Sequence, residues 1–186
     1  MNNTRLTFTE SFKIIKQQFE GLVTGIDGEP YMPPGIPNFD DEKLGIGFFR
    51  GQFKDNRLDN LTIPRTYFGR SELNNISFKN TDLNESRMCW NDWAECDFSE
   101  SSLKCCDLRN SIFKDCSFKN ANLEDADLRH ATFENCDFSG ASMKGTKIKK
   151  ASGILTRFSP KTIKTDKKQN LEIDWQKENG PEAPGG

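Results

Sequence analysis

Six cysteines and one histidine are the side chains in this 186-residue chain that most readily act as metal ligands or nucleophiles. A structural zinc site needs four such ligands converging tetrahedrally. Cys96, Cys116 and Cys136 are spaced twenty residues apart, and Cys106 lies midway between the first two. If that spacing belongs to a repeated coil, the thiols stack in a column instead of converging. We therefore predict free cysteines that serve as small buried apolar side chains, and no metal site.

His130 is the only histidine. A histidine base works beside a Ser or Cys nucleophile and an orienting carboxylate, and Cys89 lies about two coils away in the repeat described below. The sequence contains no P-loop, HExxH or GxSxG motif. The glycines at 45–47 do not open a helix after a strand, so they do not indicate a dinucleotide site. The pattern predicts a protein that is not an enzyme and carries no cofactor.

The composition is unusual for a folded chain of this length. Only 34% of the residues are apolar, 29% are charged, and the net charge is −2. A layered core normally needs more apolar residues than this. Either much of the chain is unfolded, or the fold uses its apolar residues economically.

A period of five residues explains how so few apolar residues can form a core. From Phe48 to Ile148, every fifth residue is large and apolar, and the residue two places before it is mostly small. Because a straight strand would put residues five apart on opposite faces, the chain must bend once per unit. The fit is weakest at the start, where Leu61 is large for a small-residue place. Trp93 is large for the interior, so we expect irregular geometry over 88–93.

Residues twenty apart also match, as they would if four bends close a square coil. These residues form vertical columns, which we predict to be the core of the rod. The columns are Phe78, Phe98, Phe118 and Phe138; Leu83, Leu103 and Leu123; and Cys96, Cys116 and Cys136.

The repeat resembles that of the pentapeptide-repeat family, whose unit is A(D/N)LXX. Matching units are CDLRN at 106–110, ANLED at 121–125, ADLRH at 126–130 and CDFSG at 136–140. The resemblance covers roughly residues 46–152. It implies an all-β fold, a right-handed quadrilateral β-helix of about five coils, in which each coil covers the next.

Both ends of such a rod need caps, because an exposed last coil invites aggregation. Residues 1–45 are expected to form one, with a helix over 8–22, a Thr7–Glu10 capping box and a Pro-rich loop over 27–41. Residues 153–186 are expected to be a C-terminal cap and a disordered tail. The helical stripe comprises Phe8, Phe12, Ile15, Phe19 and Leu22, and the residues expected to cover the last coil are Ile154, Leu155, Phe158 and Ile163.

Charge along the chain gives an acidic middle, 72–137, and a basic end, 138–168. On four assumed walls, several carboxylates fall together and form candidate partner-binding surfaces, with Trp90 and Trp175 as aromatic anchors. Ordinary solvation of a rod is the competing explanation. The candidate residues are Glu72, Asp92, Glu95, Asp115 and Glu134 on one wall, and Glu85 and Asp125 on the opposite wall.

These features favour a non-catalytic module that binds a protein partner: a toxin, a topoisomerase or another protein. It would act as an immunity, protective or adaptor protein. The alternative comes from the resemblance, because some family members protect DNA gyrase and topoisomerase IV by imitating DNA. This chain departs from them in its near-neutral charge and basic end. Few aromatics interleave the basic run, which argues against direct nucleic-acid binding.

Location is predicted from what the sequence lacks. It has no apolar run long enough to span a membrane and no secretory signal at its start. With six cysteines, this indicates reduced thiols in a bacterial cytoplasm. The oligomeric state is left open.

Overall fold

The structure is a computed structural model that describes residues 4–18, 47–49 and 51–158. The predictions for the helix beyond residue 18, the Pro-rich loop, Trp175 and the tail lie outside these residues. Within the described ranges, no helix has the length and apolar character to cross a membrane.

Within residues 4–18, 47–49 and 51–158, the regular structure consists of one helix and ten short strands, and every strand pairing there is parallel. Strands β2, β4, β5, β6, β7 and β9 form one sheet in that order, β1 pairs with β3, and β8 pairs with β10. The elements are α1 (Phe8–Gln18), β1 (Gly47–Phe49), β2 (Gln52–Lys54), β3 (Tyr67–Gly69), β4 (Glu72–Asn74), β5 (Asp92–Ala94), β6 (Ile112–Lys114), β7 (Thr132–Glu134), β8 (Asp137–Phe138), β9 (Ser152–Ile154) and β10 (Arg157–Phe158).

The register between strands is twenty residues throughout. Leu73 pairs with Trp93 and Phe113 with Phe133, and isolated bridges such as Thr62 to Asp82 keep the same offset. The backbone groups of one coil therefore bond to the coils below and above it. This confirms the predicted β-solenoid.

A corner occurs at every fifth residue. From Asp55 to Leu155, each fifth residue has a positive φ, including Gly140 at 75° and Gly145 at 72°. Four such corners fit into each twenty-residue coil, which makes the cross-section four-sided. Left-handed backbone is uncommon outside glycine, and asparagine and aspartate tolerate it best. The many Asn and Asp residues at this position therefore help to set the corners.

The predicted columns fill the interior. Phe78, Phe98 and Phe138 have no exposed surface and Phe118 only 1%. Their rings stack at centroid distances of 5.1, 5.0 and 4.5 Å along the rod. Leu61 is also buried. Met143 is only partly buried, so the interior closes less completely there.

Trp93 does not disturb the backbone, and the prediction of irregular geometry is wrong for 92–94. Its strand keeps the twenty-residue register on both sides, and the indole stacks on Phe113 at 5.9 Å. The neighbouring column supplies the space through edge contacts with Phe78 and Phe98. Within the described residues, the buried indole N–H has no hydrogen-bond partner.

Helix α1 lies on the first coil, and the predicted capping box is present. The Thr7 N–H donates to the Glu10 carboxylate at 2.9 Å, and the Glu10 N–H donates to Thr7 Oγ1 at 3.3 Å. Ile15 is buried, and Ser11 Oγ accepts the Thr62 N–H at 2.9 Å. Phe12, which the helical stripe placed inward, is 40% exposed, and its ring stacks on that of Phe8 at 6.3 Å.

Thr7→Ala should loosen α1 selectively. Loss of an N-cap hydroxyl typically costs about 1 kcal/mol. The hydrogen bonds from Thr7 also lower the pKa of Glu10, so the box forms above the ordinary pKa of glutamate and is lost as pH falls through the lowered value. Amide hydrogen exchange at neutral pH should show faster exchange over 8–18 and unchanged protection over 92–138. Equal loss of protection in both regions would contradict this.

The twenty-residue register continues beyond residue 152. Phe133 pairs with Gly153 in β9, and Phe138 pairs with Phe158 in β10. Gly153 thus occupies a place that a large residue holds in earlier coils. Ile154 and Leu155, which were expected to cover the last coil, are 47% and 57% exposed. They take outward places because the repeat continues through them.

Candidate functional site

The register sorts outward side chains onto four walls, and two neighbouring walls carry opposite charge. The acidic wall is the outer face of the six-stranded sheet with its following corner: 52–55, 72–75, 92–95, 112–115, 132–135 and 152–155. The basic wall precedes it in each coil and comprises 67–70, 87–90, 107–110, 127–130 and 147–150. Both names are used in this sense below.

The acidic wall brings together five of the predicted partner-binding residues. Glu72 and Asp92 are register neighbours, and Glu95 and Asp115 follow one another in the adjacent corner column. All four are exposed. Asp115 accepts a hydrogen bond from Asn135 at 2.6 Å, and Glu134 pairs with Lys114 at 3.5 Å. The centre of the acidic wall therefore carries two pairs of stacked carboxylates of like charge, Glu72 with Asp92 and Glu95 with Asp115.

The two remaining acidic candidates lie on the opposite wall, as the sequence predicted. Glu85 is held by Arg65 at 2.8 Å, so its charge is largely balanced. Asp125 is an exposed corner residue whose carboxylate lies against Gly145 of the next coil. These two residues do not join the acidic wall.

Sequence reasoning missed the basic wall, because its residues come from five different coils. Counting charge by position within the twenty-residue period would have found it. Two aspartates, Asp107 and Asp127, also lie on this wall. The basic residues are Arg70, Arg87, Arg109, Arg129, Lys147, Lys149 and Lys150.

A network of ion pairs fixes the centre of the basic wall. Arg109 binds Asp107 through two hydrogen bonds of 2.8 and 2.7 Å, and Arg129 binds Asp127 in the same way. Burial raises the pKa of Asp127, but the hydrogen bonds and charge of Arg129 outweigh it and leave the pKa below its usual value. The network therefore holds at neutral pH and weakens as pH falls through that lowered pKa.

Trp90 stands on the edge that the two walls share. Its side chain is 60% exposed, and its backbone has a φ of 61°. The corner column on this edge otherwise holds Arg70, Asn110, His130 and Lys150. His130 is exposed, and the described residues include no group of His, Cys, Asp and Glu side chains that could hold a metal ion.

Comparison with known proteins agrees with the repeat and the fold. A sequence model described as a pentapeptide repeat region matches residues 90–152. Over those residues the chain is similar to the pentapeptide-repeat family. No curated protein matches its sequence.

Several solved structures resemble this solenoid. One is trypsin-treated QnrB1, a plasmid-mediated fluoroquinolone resistance protein, with a TM-score of 0.54 and 20% identity over 59% of this chain. That alignment spans 56% of the QnrB1 chain and establishes the fold alone. Rfr23 from the cyanobacterium Cyanothece 51142 gives a TM-score of 0.47 at 16% identity, covering 60% of this chain and 86% of that one. A thylakoid-lumen protein of Arabidopsis thaliana gives 0.41 at 23%, covering 59% and 70%.

Within the described residues all six cysteines are free, four of them are buried, and Cys96, Cys116 and Cys136 form the predicted column. They also act as weak donors, which the sequence did not indicate. The thiols of Cys96, Cys116 and Cys136 lie 3.5, 3.6 and 3.5 Å from the carbonyl oxygens twenty-three residues earlier. These carbonyls belong to Leu73, Trp93 and Phe113, the central residues of strands β4, β5 and β6, and the hydrogen bonds are buried. The thiol S–H serves as a donor there, because a buried carbonyl oxygen needs a hydrogen-bond partner.

Thiol reactivity tests this placement. Cys105 is exposed, Cys89 is partly buried, and the other four cysteines are buried. Burial also raises the pKa of Cys89 and Cys106. With a maleimide at neutral pH and mass spectrometry, Cys105 should react first and Cys89 more slowly, while the buried four react only after urea is added. Rapid native labelling of Cys116 would contradict the buried column.

Proposed function

We propose that the chain is a non-catalytic protein-binding module, an immunity, protective or adaptor protein that binds one specific protein through the outer surface of its solenoid. The observation that carries the proposal is the pair of neighbouring walls of opposite charge. Backbone hydrogen bonds between coils hold the flat walls of the rod, so the charged side chains project from fixed positions. Charge complementarity to such a surface favours one partner over others. The described exposed candidates are Glu72, Asp92, Glu95, Asp115, Glu134, Glu85, Asp125 and Trp90.

The terminal segments belong to the same proposal. Residues 1–45 would serve as the N-terminal cap, and 153–186 as the C-terminal cap and tail. The support for the first is the N-terminal segment. Ser11 of α1 accepts the Thr62 N–H, and the carbonyl of Leu6, which precedes α1, accepts the Thr62 hydroxyl. A bacterial cytoplasm is the proposed location, supported by the free thiols.

A second candidate is a DNA mimic that protects or inhibits DNA gyrase or topoisomerase IV. It is favoured by the acidic wall and by a fold shared with QnrB1, a fluoroquinolone resistance protein. Charge density weighs against it. The acidic wall has Lys54 and Lys114 among its carboxylates, which leaves one net negative charge per ~6 Å at a coil rise of ~4.8 Å. DNA carries one per ~1.7 Å.

Two measurements test these proposals. For the protein-binding module, the full chain would be passed with a source-cell extract over a sizing column, and a protein should co-elute with it in fixed stoichiometry. A chain that always elutes alone would refute the proposal. For the DNA mimic, the chain would be titrated into a gyrase supercoiling assay with and without a quinolone. An unchanged assay would refute that candidate.

A further inference from the structure

We propose that the edge between the basic and acidic walls is the docking site, and that its partner is a protein bearing acidic side chains around an apolar pocket. Trp90 would enter the pocket, and Arg70 and Arg87 would meet the carboxylates. This inference rests on the proposed protein-binding function and names the surface and the partner chemistry.

The first support is the placement of Trp90. All corner residues from 55 to 155 share a positive φ, and among these described corners Trp90 is the only Trp, Tyr or Phe residue. Asn110 holds the same corner one coil later. With 60% of its surface exposed, the Trp90 side chain also contributes little to the core. Tryptophan is enriched among residues that dominate binding energy.

The second support is what surrounds Trp90. Arg70 and Arg87 are outward residues of the coil below and of the same coil, and Arg109 lies in the coil above. On the other side, Ile112 is 50% exposed and pairs in register with Asp92. A large aromatic and an isoleucine flanked by arginines match the composition of protein interfaces.

The third support is the rigidity of the wall beside Trp90. Two hydrogen bonds to Asp107 fix the guanidinium of Arg109, and Asp127 lies 3.8 Å away, so the charge of Arg109 is largely balanced within the wall. The surface next to Trp90 is therefore fixed in shape, and Arg70 and Arg87 supply its positive charge. The adjoining acidic wall repels a nucleic acid phosphate chain, so the observations favour an acidic protein patch of limited width.

The test compares four full-length proteins: wild type, Trp90→Asn, Arg70→Glu with Arg87→Glu, and a control, Lys104→Glu with Lys144→Glu. The control makes the same charge change on the wall opposite the acidic wall. The probe is a nuclease-treated extract of the source cells at low salt. The protein that wild type retains is then purified and titrated against all four by calorimetry.

Wild type and the control should bind this protein alike. Trp90→Asn should weaken binding about 30-fold or more, the size expected for a hot-spot residue. Its thermal unfolding midpoint should stay equal or rise, because asparagine suits the corner. The double arginine variant should also lose binding, and wild-type binding should weaken with salt.

Other outcomes overturn the inference, and they are distinguishable. If all four proteins bind equally, the edge is not the site although protein binding stands. If no protein is retained, the proposed function fails with it. Binding that occurs in an untreated extract and is lost in the nuclease-treated extract would identify a nucleic acid. Self-association of wild type that Trp90→Asn removes would identify a second copy of the chain as the occupant.

Discussion

Phe118→Asp should yield no folded protein. The Phe118 ring is 1% exposed and lies between Phe98 and Phe138, at centroid distances of 5.0 and 4.5 Å. Losing a buried phenylalanine typically costs about 3–5 kcal/mol. An unpaired carboxylate inside the rod adds several more. Since typical domains have only about 5–15 kcal/mol of stability, far-ultraviolet circular dichroism should show no cooperative melting.

Lys119→Glu is the matched control, one residue further on. Lys119 is exposed and pairs with Asp137 at 3.3 Å. An exposed ion pair of this kind contributes about 0–1 kcal/mol, so the variant should melt cooperatively within a few degrees of wild type. If Phe118→Asp also melted cooperatively near the wild-type midpoint, the packed interior would be refuted.

Asn91→Leu should destabilise the rod strongly without changing side-chain size much. Asn91 is 1% exposed, and its amide serves two backbone groups of the coil below. Its oxygen accepts the Ser71 N–H at 2.9 Å, and its nitrogen donates to the Phe68 carbonyl at 2.7 Å. Each buried group left unpaired costs about 1–3 kcal/mol. Urea denaturation should therefore show about 2–6 kcal/mol less stability.

Asn91→Ser should restore most of that loss. Serine already does this work one coil later, where Ser111 Oγ accepts the Asn91 N–H at 3.1 Å and donates to the Met88 carbonyl at 2.8 Å. The serine variant should therefore be clearly more stable than the leucine variant. Equal stabilities would show that the two hydrogen bonds do not matter.

The interior was predictable from sequence because a five-residue period leaves one large and one small inward place per unit. The columns of Phe98 and Leu103 follow directly, and so do the free cysteines. The corner geometry could also have been predicted, because Asn and Asp occupy many of the corner positions. The sequence-based prediction did not use this signal. The prediction of irregular geometry around Trp93 failed. The indole fits because the neighbouring phenylalanine rings leave space for it, and the size of a single residue does not reveal this.

The candidate site was only partly predictable. The wall holding Glu72 and Asp92 followed from the period, because the predicted coil length assigns each outward residue to a wall. Reading charge along the chain hid the basic wall, since Arg70 and Lys150 are distant in sequence and share a wall only in the coil. The exposure of Trp90 and the bonds that fix Arg109 depend on side-chain packing, which the repeat does not specify.

The constant length of the coil constrains how this surface can change over time. Removing or adding five residues leaves a foldable tube, but it rotates everything beyond that point by a quarter turn. Arg109 and Arg129 would then stand above a different wall, and the charged stripes would break into short patches. Only gains or losses of twenty residues keep the stripes continuous. Relatives that share this surface should therefore differ in length by whole coils.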